Sequence, residues 1–435
     1  MKKLLFLFTL LILVPRGKAE AQQYEWYVIA RPTTSGLISV DFIDTLNGFV
    51  ARGGIAIFKT TDGGYNWTSY SSGEPFLVYG ISMLDTLYGW CAGSQGSFGD
   101  IVSTTTGGTT WTVKREMLDE NYIGTAALTK NKNLTSGYAD PFTGGVDTGL
   151  VLRTTNAGTS WQRALFEVGT HFKKVFFIDS LHGWINADSS LQGFVFHTTD
   201  GGESWHKYRL PDVFGHPLYF TALTFIDTLS GWGGAGNGFM RTTDAGEHWS
   251  LQYIIPEQHD FSVEDISFTD ALNGWAFGNT ADPGYITEAI YRTTNGGNDW
   301  YEESSALSAY LTAGEMLDRE HGWAVAGDGR VLAYRKVTNI VEQLPEVPSG
   351  FVLRYNYPNP FNPITTIEYE IPQQTNVTMK VVDIVGKEIQ TLVNQTQTAG
   401  VYRITFDGTQ FPSGTYFYTL ITPEFQSTKQ LLILK

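Results

Sequence analysis

The amino-acid sequence predicts an all-β protein, in which a seven-bladed β-propeller is followed by a small immunoglobulin-like β-sandwich. Two series of tryptophans alternate along most of the chain. Members of the first series end a Thr-Thr-(Asp/Asn)-Gly/Ala-Gly-x-x-Trp stretch, and members of the second follow a glycine directly. Four short strands that repeat at roughly 40 to 50 residues are typical of propellers. Short alternating strands in the last part of the chain favour a sandwich.

Seven repeats can be counted, and each begins with a short apolar strand and an Asp-Thr-Leu-x-Gly turn or a variant of it. The first strands are expected to begin near Ile38, Val78, Ile123, Val175, Leu223, Val263 and Leu311. The first tryptophan series comprises Trp67, Trp111, Trp161, Trp205, Trp249 and Trp300. The second comprises Trp90, Trp184, Trp232, Trp275 and Trp323, with Phe49 after Gly48 and Tyr138 after Gly137 in the two gaps.

Trp26 is left over, and its position predicts how the ring closes. The step from Trp26 to Phe49 equals the step from Trp67 to Trp90. The last repeat stops after its third strand, around residues 331–335. We therefore expect residues 24–30 to supply the missing fourth strand, because joining the two chain ends in one sheet pairs edges that would otherwise stay open.

The Thr-Thr-Asp stretch is interpreted as a structural turn. Threonine hydroxyls and Asp or Asn side chains can accept backbone N–H bonds within a hairpin, and glycine supplies the positive φ angle. Asn156, Asn295 and Thr106 stand where other repeats have Asp, and a metal ligand or a catalytic acid would not tolerate this exchange. The positions assigned to this role are Thr60, Asp62, Gly64, Trp67, Thr154, Asn156, Gly158, Trp161, Thr198, Asp200, Gly202, Trp205, Thr242, Asp244, Gly246, Trp249, Thr293, Asn295, Gly297 and Trp300.

The repeats resemble Asp-box (BNR) repeats, and residues 22–336 are similar to the seven-bladed propellers of photosystem II assembly and stability factors. Sialidases, xyloglucan-active glycosidases and sortilin-type receptors carry the same turn, so the resemblance implies architecture rather than activity. The acidic balance of this chain and its extra C-terminal domain differ from those factors. We therefore do not expect a photosynthetic role.

A linker at 337–350, with Pro345 and Pro348, separates the repeats from a second domain at 351–435. This domain resembles the type A C-terminal sorting domain of the type IX secretion system. The resemblance rests on four stretches, which are Tyr-Pro-Asn-Pro-Phe-Asn-Pro at 357–363, Val-Asp-Ile-Val-Gly-Lys-Glu at 382–388, Gly-Val-Tyr at 400–402 and Ser-Gly-Thr-Tyr-Phe-Tyr at 413–418. It implies that the type IX machinery is a partner, whereas an ordinary immunoglobulin-like binding module is the alternative.

The chain begins with a basic, an apolar and a small-residue region, which is the order of a signal peptide. Cleavage is expected near Ala21, and the protein is expected at the cell surface or outside the cell. No apolar segment is long enough to predict a transmembrane helix. The formal charge of −15 argues against nucleic-acid partners. Cys91, the single cysteine, excludes an internal disulfide.

Both repeated turns are expected on one face of the ring, which leaves irregular connections on the other face, where a ligand is expected to bind. Two loops there are expected to be long, at 139–147 and 278–285, and three successive connections between blades carry a histidine. The candidate ligand-binding residues are Asp140, Phe142, His171, His216, His259, Asp260, Asp282 and Tyr285. They lack metal-ligand spacing, and neither a metal nor another cofactor is expected.

These observations predict an exported, non-catalytic binding or scaffold propeller for an unknown protein or glycan ligand. A polysaccharide-active glycoside hydrolase that uses carboxylates of the irregular face is the alternative, because such enzymes need two carboxylates across a cleft. A sialidase is not expected, since Arg31-Pro32 and Arg209-Leu210-Pro211 are the only weak echoes of its Arg-Ile-Pro element and a sialidase ring has six blades. Ser-His-Asp order and nucleotide-binding loops are also missing.

Overall fold

The computed structural model describes residues 24–54, 56–72, 76–139, 146–189, 192–213, 216–235, 238–254, 260–282, 285–303, 310–336, 342–344, 348–361, 364–408 and 411–434. These residues form β-strands, turns and loops, and no helix occurs among them. Consequently, no helix of the described residues is long and apolar enough to cross a membrane. The prediction of an all-β propeller is confirmed.

The strands of residues 24–336 form seven four-stranded antiparallel sheets within the described chain. Strand β1 (Tyr24–Ala30) precedes sheet 1, which contains β2 (Leu37–Phe42), β3 (Gly48–Arg52), β4 (Ala56–Thr60) and β5 (Thr68–Ser71). Sheet 2 contains β6 (Leu77–Met83), β7 (Gly89–Gln95), β8 (Phe98–Thr104) and β9 (Thr112–Leu118). Sheet 3 contains β10 (Glu120–Ala127), β11 (Asn133–Ala139), β12 (Thr148–Thr154) and β13 (Gln162–Val168).

Sheet 4 contains β14 (His171–Phe177), β15 (Gly183–Ser189), β16 (Gln192–Thr198) and β17 (His206–Arg209), and a hairpin of β18 (Asp212–Val213) and β19 (His216–Pro217) follows it. Sheet 5 contains β20 (Ala222–Phe225), β21 (Gly231–Ala235), β22 (Gly238–Thr242) and β23 (Ser250–Ile254). Sheet 6 contains β24 (Asp260–Phe268), β25 (Gly274–Asp282), β26 (Tyr285–Thr293) and β27 (Tyr301–Glu302). Sheet 7 contains β28 (Leu311–Met316), β29 (Gly322–Ala326) and β30 (Val331–Lys336), and β1 is its fourth strand.

The pairing of β1 with β30 joins the beginning of the described chain to the last sheet. Trp26 lies opposite Tyr334, and Tyr334 in turn lies opposite Gly322. In sheet 1, Thr60 lies opposite Gly48 on one side. On the other side Lys59 lies opposite Thr68, so the same register brings Trp67 opposite Thr60. Trp26 therefore stands in the register position that Trp67 holds in sheet 1.

Neighbouring sheets interlock through one repeated contact. The indole N–H of Trp232 in sheet 5 donates to the Gly296 carbonyl of sheet 6, at 2.9 Å. Gly296 lies in the box turn, which is the Asp-box stretch between the third and fourth strands of a sheet. Phe268, at the end of the first strand of sheet 6, stacks on the same indole with ring centroids 3.7 Å apart. The same pair of contacts joins sheet 7 to sheet 1, where Trp323 donates to Gly63 at 2.9 Å and stacks on Phe42 at 3.6 Å. At these two junctions, the tryptophan thus fixes its sheet against the next one.

One expectation about the repeats is wrong. Tyr138 was expected to fill the aromatic position of the third repeat, but Leu134 holds it, since Asn133 lies opposite Thr154 as Gly48 lies opposite Thr60. Asparagine replaces the usual glycine there, so the Gly-aromatic pattern pointed four residues too far along the strand. Leu134 is fully buried beneath Gly202, where an added Cβ would lie 2.3 Å from its side chain.

The C-terminal part forms two four-stranded sheets around one apolar core. One sheet contains β31 (Glu342–Leu344), β32 (Val352–Leu353), β33 (Ile364–Ile371) and β36 (Gly400–Asp407). The other contains β34 (Thr375–Val382), β35 (Glu388–Gln397), β37 (Gly414–Ile421) and β38 (Gln426–Ile433). Side chains of both sheets, among them Tyr369 and Tyr418, are fully buried between them.

The proline-rich stretch that begins at Tyr357 covers part of an edge strand. The Asn359 side chain accepts the Leu432 N–H at 2.9 Å and donates to the Gln430 carbonyl at 3.1 Å. The Phe361 N–H donates to the Leu432 carbonyl, and the Phe361 carbonyl accepts the Leu434 N–H, both at 3.0 Å. This stretch therefore satisfies backbone groups that an open edge would leave exposed.

Candidate ligand-binding face and central channel

The strand order gives the ring two different faces. The box face carries the turns between first and second strands and the box turns between third and fourth strands, because Thr60 ends its strand opposite Gly48. The variable face carries the connections between sheets and the loops between second and third strands. Tyr24 lies opposite Lys336 at the box-face end of sheet 7. Both ends of the ring's chain, including the link to the sorting domain, therefore leave from the box face.

His171 is the centre of a polar cluster on the variable face. Its Nε2 lies 2.7 Å from Asp147 Oδ2, and its Nδ1 lies 3.9 Å from Asp188 Oδ1. Lys173 Nζ binds the other oxygen of Asp188 at 2.6 Å, and the Tyr138 ring lies 4.9 Å from the imidazole. Asp147 comes from sheet 3, whereas His171 and Asp188 come from sheet 4. The cluster therefore spans a junction between sheets and presents partly exposed donors, acceptors and an aromatic ring.

The other candidate residues are not brought into this cluster. His216 is exposed in the β18–β19 hairpin, where Asp212 is paired with Arg209 at 3.1 Å. Asp140, Phe142 and His259 lie outside the described residues. For Asp260, Asp282 and Tyr285 the structure describes the backbone only. Within the described residues, no three His, Cys, Asp or Glu side chains are grouped as metal ligands.

The expectation of a long loop at 278–285 is wrong. Strands β25 and β26 extend to Asp282 and Tyr285, which pair with each other across the end of the hairpin. Only residues 283 and 284 lie between the strands. The polar residues up to Asp282 belong to an extended strand. Asp282 and Tyr285 are therefore at the tip of a projecting hairpin.

In each repeat that has the Asp-box residues, these residues form the hydrogen bonds of the turn. The Thr198 hydroxyl accepts the buried Gly202 N–H at 2.9 Å, and Asp200 Oδ1 accepts the Ser204 N–H at 3.0 Å. Burial would raise the pKa of Asp200, but bonds from Ser204, Thr198 and Glu203 hold it well below its ordinary value. Asn156 Oδ1 accepts the equivalent N–H of Ser160 at 2.9 Å. An amide oxygen thus serves as well as a carboxylate in this turn.

A central channel was missed by the sequence reasoning. First strands of several sheets surround a cavity of about 490 Å³, and Asp41, Lys174, Asp265 and Glu315 line it. Lys174 Nζ binds Asp265 Oδ2 at 2.8 Å, which joins sheets 4 and 6. A single acid within an apolar strand gives a weak signal in sequence, because its neighbours in the cavity come from five other repeats.

Carboxylates of the channel also tie adjacent sheets together. Glu315 accepts the Phe42 N–H across the junction of sheets 7 and 1, and Asp41 accepts the Met83 N–H of sheet 2 at 2.5 Å. Ser82 and Ser267 hydroxyls accept equivalent N–H groups of the following sheets at 3.1 Å. Burial raises the pKa of Asp41 to about 7. Burial and the nearby Asp41 raise the pKa of Glu315 well above its ordinary value.

Two family models match parts of the chain. Residues 18–170 match the photosynthesis system II assembly factor YCF48, and residues 356–434 match the secretion system C-terminal sorting domain. The photosystem II assembly lipoprotein Ycf48 of Synechococcus sp. (strain CC9902) is 24% identical over 330 residues, which cover 72% of this chain and 89% of that protein.

Solved structures share the propeller fold. The structure of YCF48 bound to D1 peptide has a TM-score of 0.56 at 19% identity, over 72% of this chain and 97% of that chain. The GH74 xyloglucanase from Xanthomonas campestris has a TM-score of 0.53 at 12% identity, over 79% of this chain and 59% of that chain. At these identities the likeness shows the fold alone. The C-terminal domain implies export to the cell surface or the extracellular space. This chain therefore combines a propeller similar to the Ycf48 assembly factors with a secretion-system C-terminal sorting domain.

Proposed function

We propose that this protein is an exported, non-catalytic binding or scaffold propeller whose variable face meets its protein or glycan ligand. The division into a cleaved leader at 1–21, a propeller at 22–336, a linker at 337–350 and a sorting domain at 351–435 belongs to this proposal, and β31 of the expected linker pairs with β36 in the C-terminal sheet. The type IX machinery is the partner of the C-terminal domain. The sorting-domain match supports export, and irregular loops on a rigid frame favour a site on the variable face.

The observation that carries the proposal is that both chain ends leave the ring from the box face. The connection to the sorting domain therefore does not start from the variable face. The cluster around His171 is partly exposed on that face and offers two carboxylates, an imidazole, an ammonium group and a tyrosine ring. Such a set suits hydrogen bonding and stacking with a sugar or a polar protein surface.

A panel of polysaccharides tests the ligand site with the full chain, by affinity electrophoresis for binding and by chromatography for products. We expect binding without product release. Asp147→Asn should weaken binding of a retained polysaccharide at least ten-fold, because it removes the charged partner of His171. Asp200→Asn, on the box face, is the matched control and should leave binding unchanged.

The same experiment examines the alternative of a glycoside hydrolase. Asp147 and Asp188 flank His171 from opposite sides. Glycoside hydrolysis requires a pair of carboxyl groups. Product release that is lost in both Asp147→Asn and Asp188→Asn, but kept in Asp200→Asn, would overturn the non-catalytic proposal.

Export is tested with a chain that ends at Lys336, expressed in the source bacterium. We expect this shortened protein to accumulate in the periplasm, because it lacks the sorting domain, while the full chain reaches the surface or the medium. Cell fractionation and immunoblotting measure the distribution. Surface delivery of the shortened chain at the level of the full chain would contradict the assigned role of the C-terminal domain.

A further inference from the structure

Three arginines meet on the variable face, where sheet 7 adjoins sheet 1. They are Arg31, Arg52 and Arg330, and together they form the arginine cluster. Arg31 follows β1 directly and Arg330 precedes β30 directly, at the end of sheet 7 where Ala30 lies opposite Val331. Arg52 ends β3, which runs from the box face to the variable face.

One carboxylate joins two of the guanidinium groups. Arg330 Nε lies 2.7 Å from Asp328 Oδ2, and Arg31 Nη2 lies 3.9 Å from the same oxygen. Arg31 Nε also donates to the Asp328 carbonyl at 3.1 Å. Both arginines are therefore held at the same turn, between β29 and β30.

Arg52 reaches the same turn from sheet 1. Its Nη1 donates to Thr33 Oγ1 at 3.2 Å. Thr33 lies two residues after Arg31, and a Cβ added to Gly329 would lie 2.1 Å from the Thr33 carbonyl oxygen. The loop after β1 is thus packed against the turn between β29 and β30. The arginine cluster is therefore one surface with continuous contacts.

The cluster has more positive than negative charge. Asp328 is the one carboxylate that pairs with it among the residues that the structure describes, and Arg52 forms no ion pair with any of them. Exposed arginines elsewhere, such as Arg209 and Arg319, each have a carboxylate partner. Three guanidinium groups thus share one carboxylate, in a chain whose formal charge is −15. This local excess attracts an anion.

The channel carboxylates do not neutralise the cluster. Asp41 and Glu315 are the last residues but one of β2 and β28, whose ends lie at the box face. They are therefore at the opposite end of these strands from the arginines. The third carboxylate of the channel, Asp265, is already paired with Lys174.

Each guanidinium group keeps donors for a ligand. Arginine has five N–H groups, arranged so that two of them can bind one carboxylate in parallel. Contacts with described residues use two nitrogen atoms of Arg31, two of Arg52 and one of Arg330. The side chain of Arg31 is 52% exposed. A carboxylate at this surface would therefore find unused donors.

An exposed tyrosine ring lies beside the cluster. Tyr310 is 48% exposed, and its carbonyl accepts the Gly327 N–H at 2.9 Å. The ring packs on Gly327, where an added Cβ would lie 2.1 Å from the ring carbon Cζ. Gly327 directly precedes Asp328, so the ring and the guanidinium groups share one turn. A fixed aromatic ring next to carboxylate-binding groups favours an acidic sugar over a run of acidic residues, which has no ring to stack.

We propose that the arginine cluster and Tyr310 bind a uronic-acid polysaccharide. The guanidinium groups bind the sugar carboxylates, and the tyrosine ring packs on a sugar ring. This inference extends the proposed function, because it names a class of ligand for the variable face and places it at the junction of sheets 7 and 1. The two carboxylates of the His171 cluster disfavour a polyanion at that other site.

The test uses the full chain and isothermal titration calorimetry with two probes, oligogalacturonate and oligomannuronate. The methyl ester of each probe keeps the sugar rings without the charge, and oligoglutamate keeps the charge without the rings. We expect saturable binding of at least one probe and at least ten-fold weaker binding of its ester and of oligoglutamate. Equal binding of the ester would mean that the carboxylates are not recognised, and equal binding of oligoglutamate would favour an acidic peptide. Either result, or no binding of both probes, overturns the proposal.

The variant to compare combines Arg31→Gln and Arg52→Gln, and Tyr310→Ser is a second, independent variant. Both should fold with an unchanged circular dichroism spectrum and lose at least ten-fold in affinity. A control with Arg209→Gln and Arg319→Gln removes the same positive charge at two exposed positions elsewhere and should bind as the wild type does. Wild-type affinity in the Arg31→Gln, Arg52→Gln variant or in Tyr310→Ser would overturn the proposal.

Asp147→Asn distinguishes this site from the His171 cluster. We expect this variant to bind the uronic-acid probes as the wild type does. If Asp147→Asn loses binding and the double arginine variant keeps it, the arginine site is refuted while the proposed site at His171 stands. Cleavage of a probe whose binding still depends on the arginines would instead refute the non-catalytic proposal and support the arginine site.

Discussion

At the scale of single residues, the same turn is built with either a charged or a neutral acceptor. Asp62 Oδ1 accepts the Asn66 N–H at 2.9 Å, and Asn295 Oδ1 accepts the Asp299 N–H at 3.0 Å. The threonine two positions earlier is less replaceable, because its hydroxyl meets a buried N–H that has no access to water. Stability in this turn therefore depends on the hydroxyl more than on the charge.

This difference predicts unequal costs for two substitutions in one box. Thr198→Ala leaves the buried Gly202 N–H without its acceptor and should lower the free energy of unfolding by about 1–3 kcal/mol. Asp200→Asn keeps the acceptor oxygen and should cost less than about 1 kcal/mol. Urea denaturation followed by tryptophan fluorescence compares the two, and an equal or greater loss in Asp200→Asn would contradict the argument.

The raised pKa of Asp41 predicts a pH dependence of stability. The folded protein keeps this proton up to about pH 7, whereas an unfolded aspartic acid loses it near pH 4. The contribution of protonated Asp41 to the free energy of unfolding is thus complete below about pH 4 and is lost as the pH rises to about 7. Its size should be on the order of 1–3 kcal/mol, because the water-accessible channel screens part of the effect.

Asp41→Asn tests this sign, since asparagine keeps an acceptor for the Met83 N–H but cannot ionise. Glu315, Cys91, Lys174 and Asp265 are the titratable or charged groups around it. We expect the variant to gain stability relative to wild type between pH 4 and pH 7, with urea unfolding as the measurement. Asp212→Asn, at an exposed position, is the control. A variant that loses stability as the pH rises, in parallel with wild type, would refute the prediction.

At the scale of elements, β1 completes sheet 7. Trp26 is almost fully buried, and its ring lies 5.4 Å from Phe277 and 5.1 Å from Tyr334. These contacts come from sheets 6 and 7, so the first strand of the described chain packs with the last two sheets of the ring. Removal of the Trp26 side chain should therefore weaken the junction between sheets 6 and 7.

Trp26→Ala is expected to lower the free energy of unfolding by about 3–5 kcal/mol and to speed hydrogen exchange of the β30 amides. Trp111→Ala, which removes a similarly buried indole from sheet 2, should destabilise the protein without selectively exposing β30. Exchange measured by mass spectrometry separates the two outcomes. Unchanged protection of residues 331–336 in Trp26→Ala would count against closure by β1.

The repeat pattern was predictable because its demands are local. A glycine at a positive φ angle, an Asx-type turn and a following tryptophan each leave a mark within eight residues, so the box positions and even Trp26 could be assigned. Leu134 could not be assigned, since Asn133 removed the glycine that marks the strand start. The channel charges could not be predicted for a different reason. Their role depends on which repeats meet in space, and Asp41 alone looks like an ordinary strand residue.

At the scale of the whole molecule, the ring separates its repeated turns from its irregular connections. The box face carries the repeated turns and both chain ends, while the variable face carries the His171 cluster and the β18–β19 hairpin. The sorting domain has its own core, made from both of its sheets. Substitutions in one part should therefore have little effect on the folding of the other, which allows binding and export to be altered independently.

The pairing of Tyr24–Ala30 with Val331–Lys336 also sets an order of events during biogenesis. Synthesis delivers the two strands of this pair about three hundred positions apart, and contacts so distant in sequence form slowly. Strand β1 is synthesised before its partner β30, and until β30 is available the edge of β1 that faces β30 is unpaired. A chaperone that shields this early strand would have a specific, short-lived task.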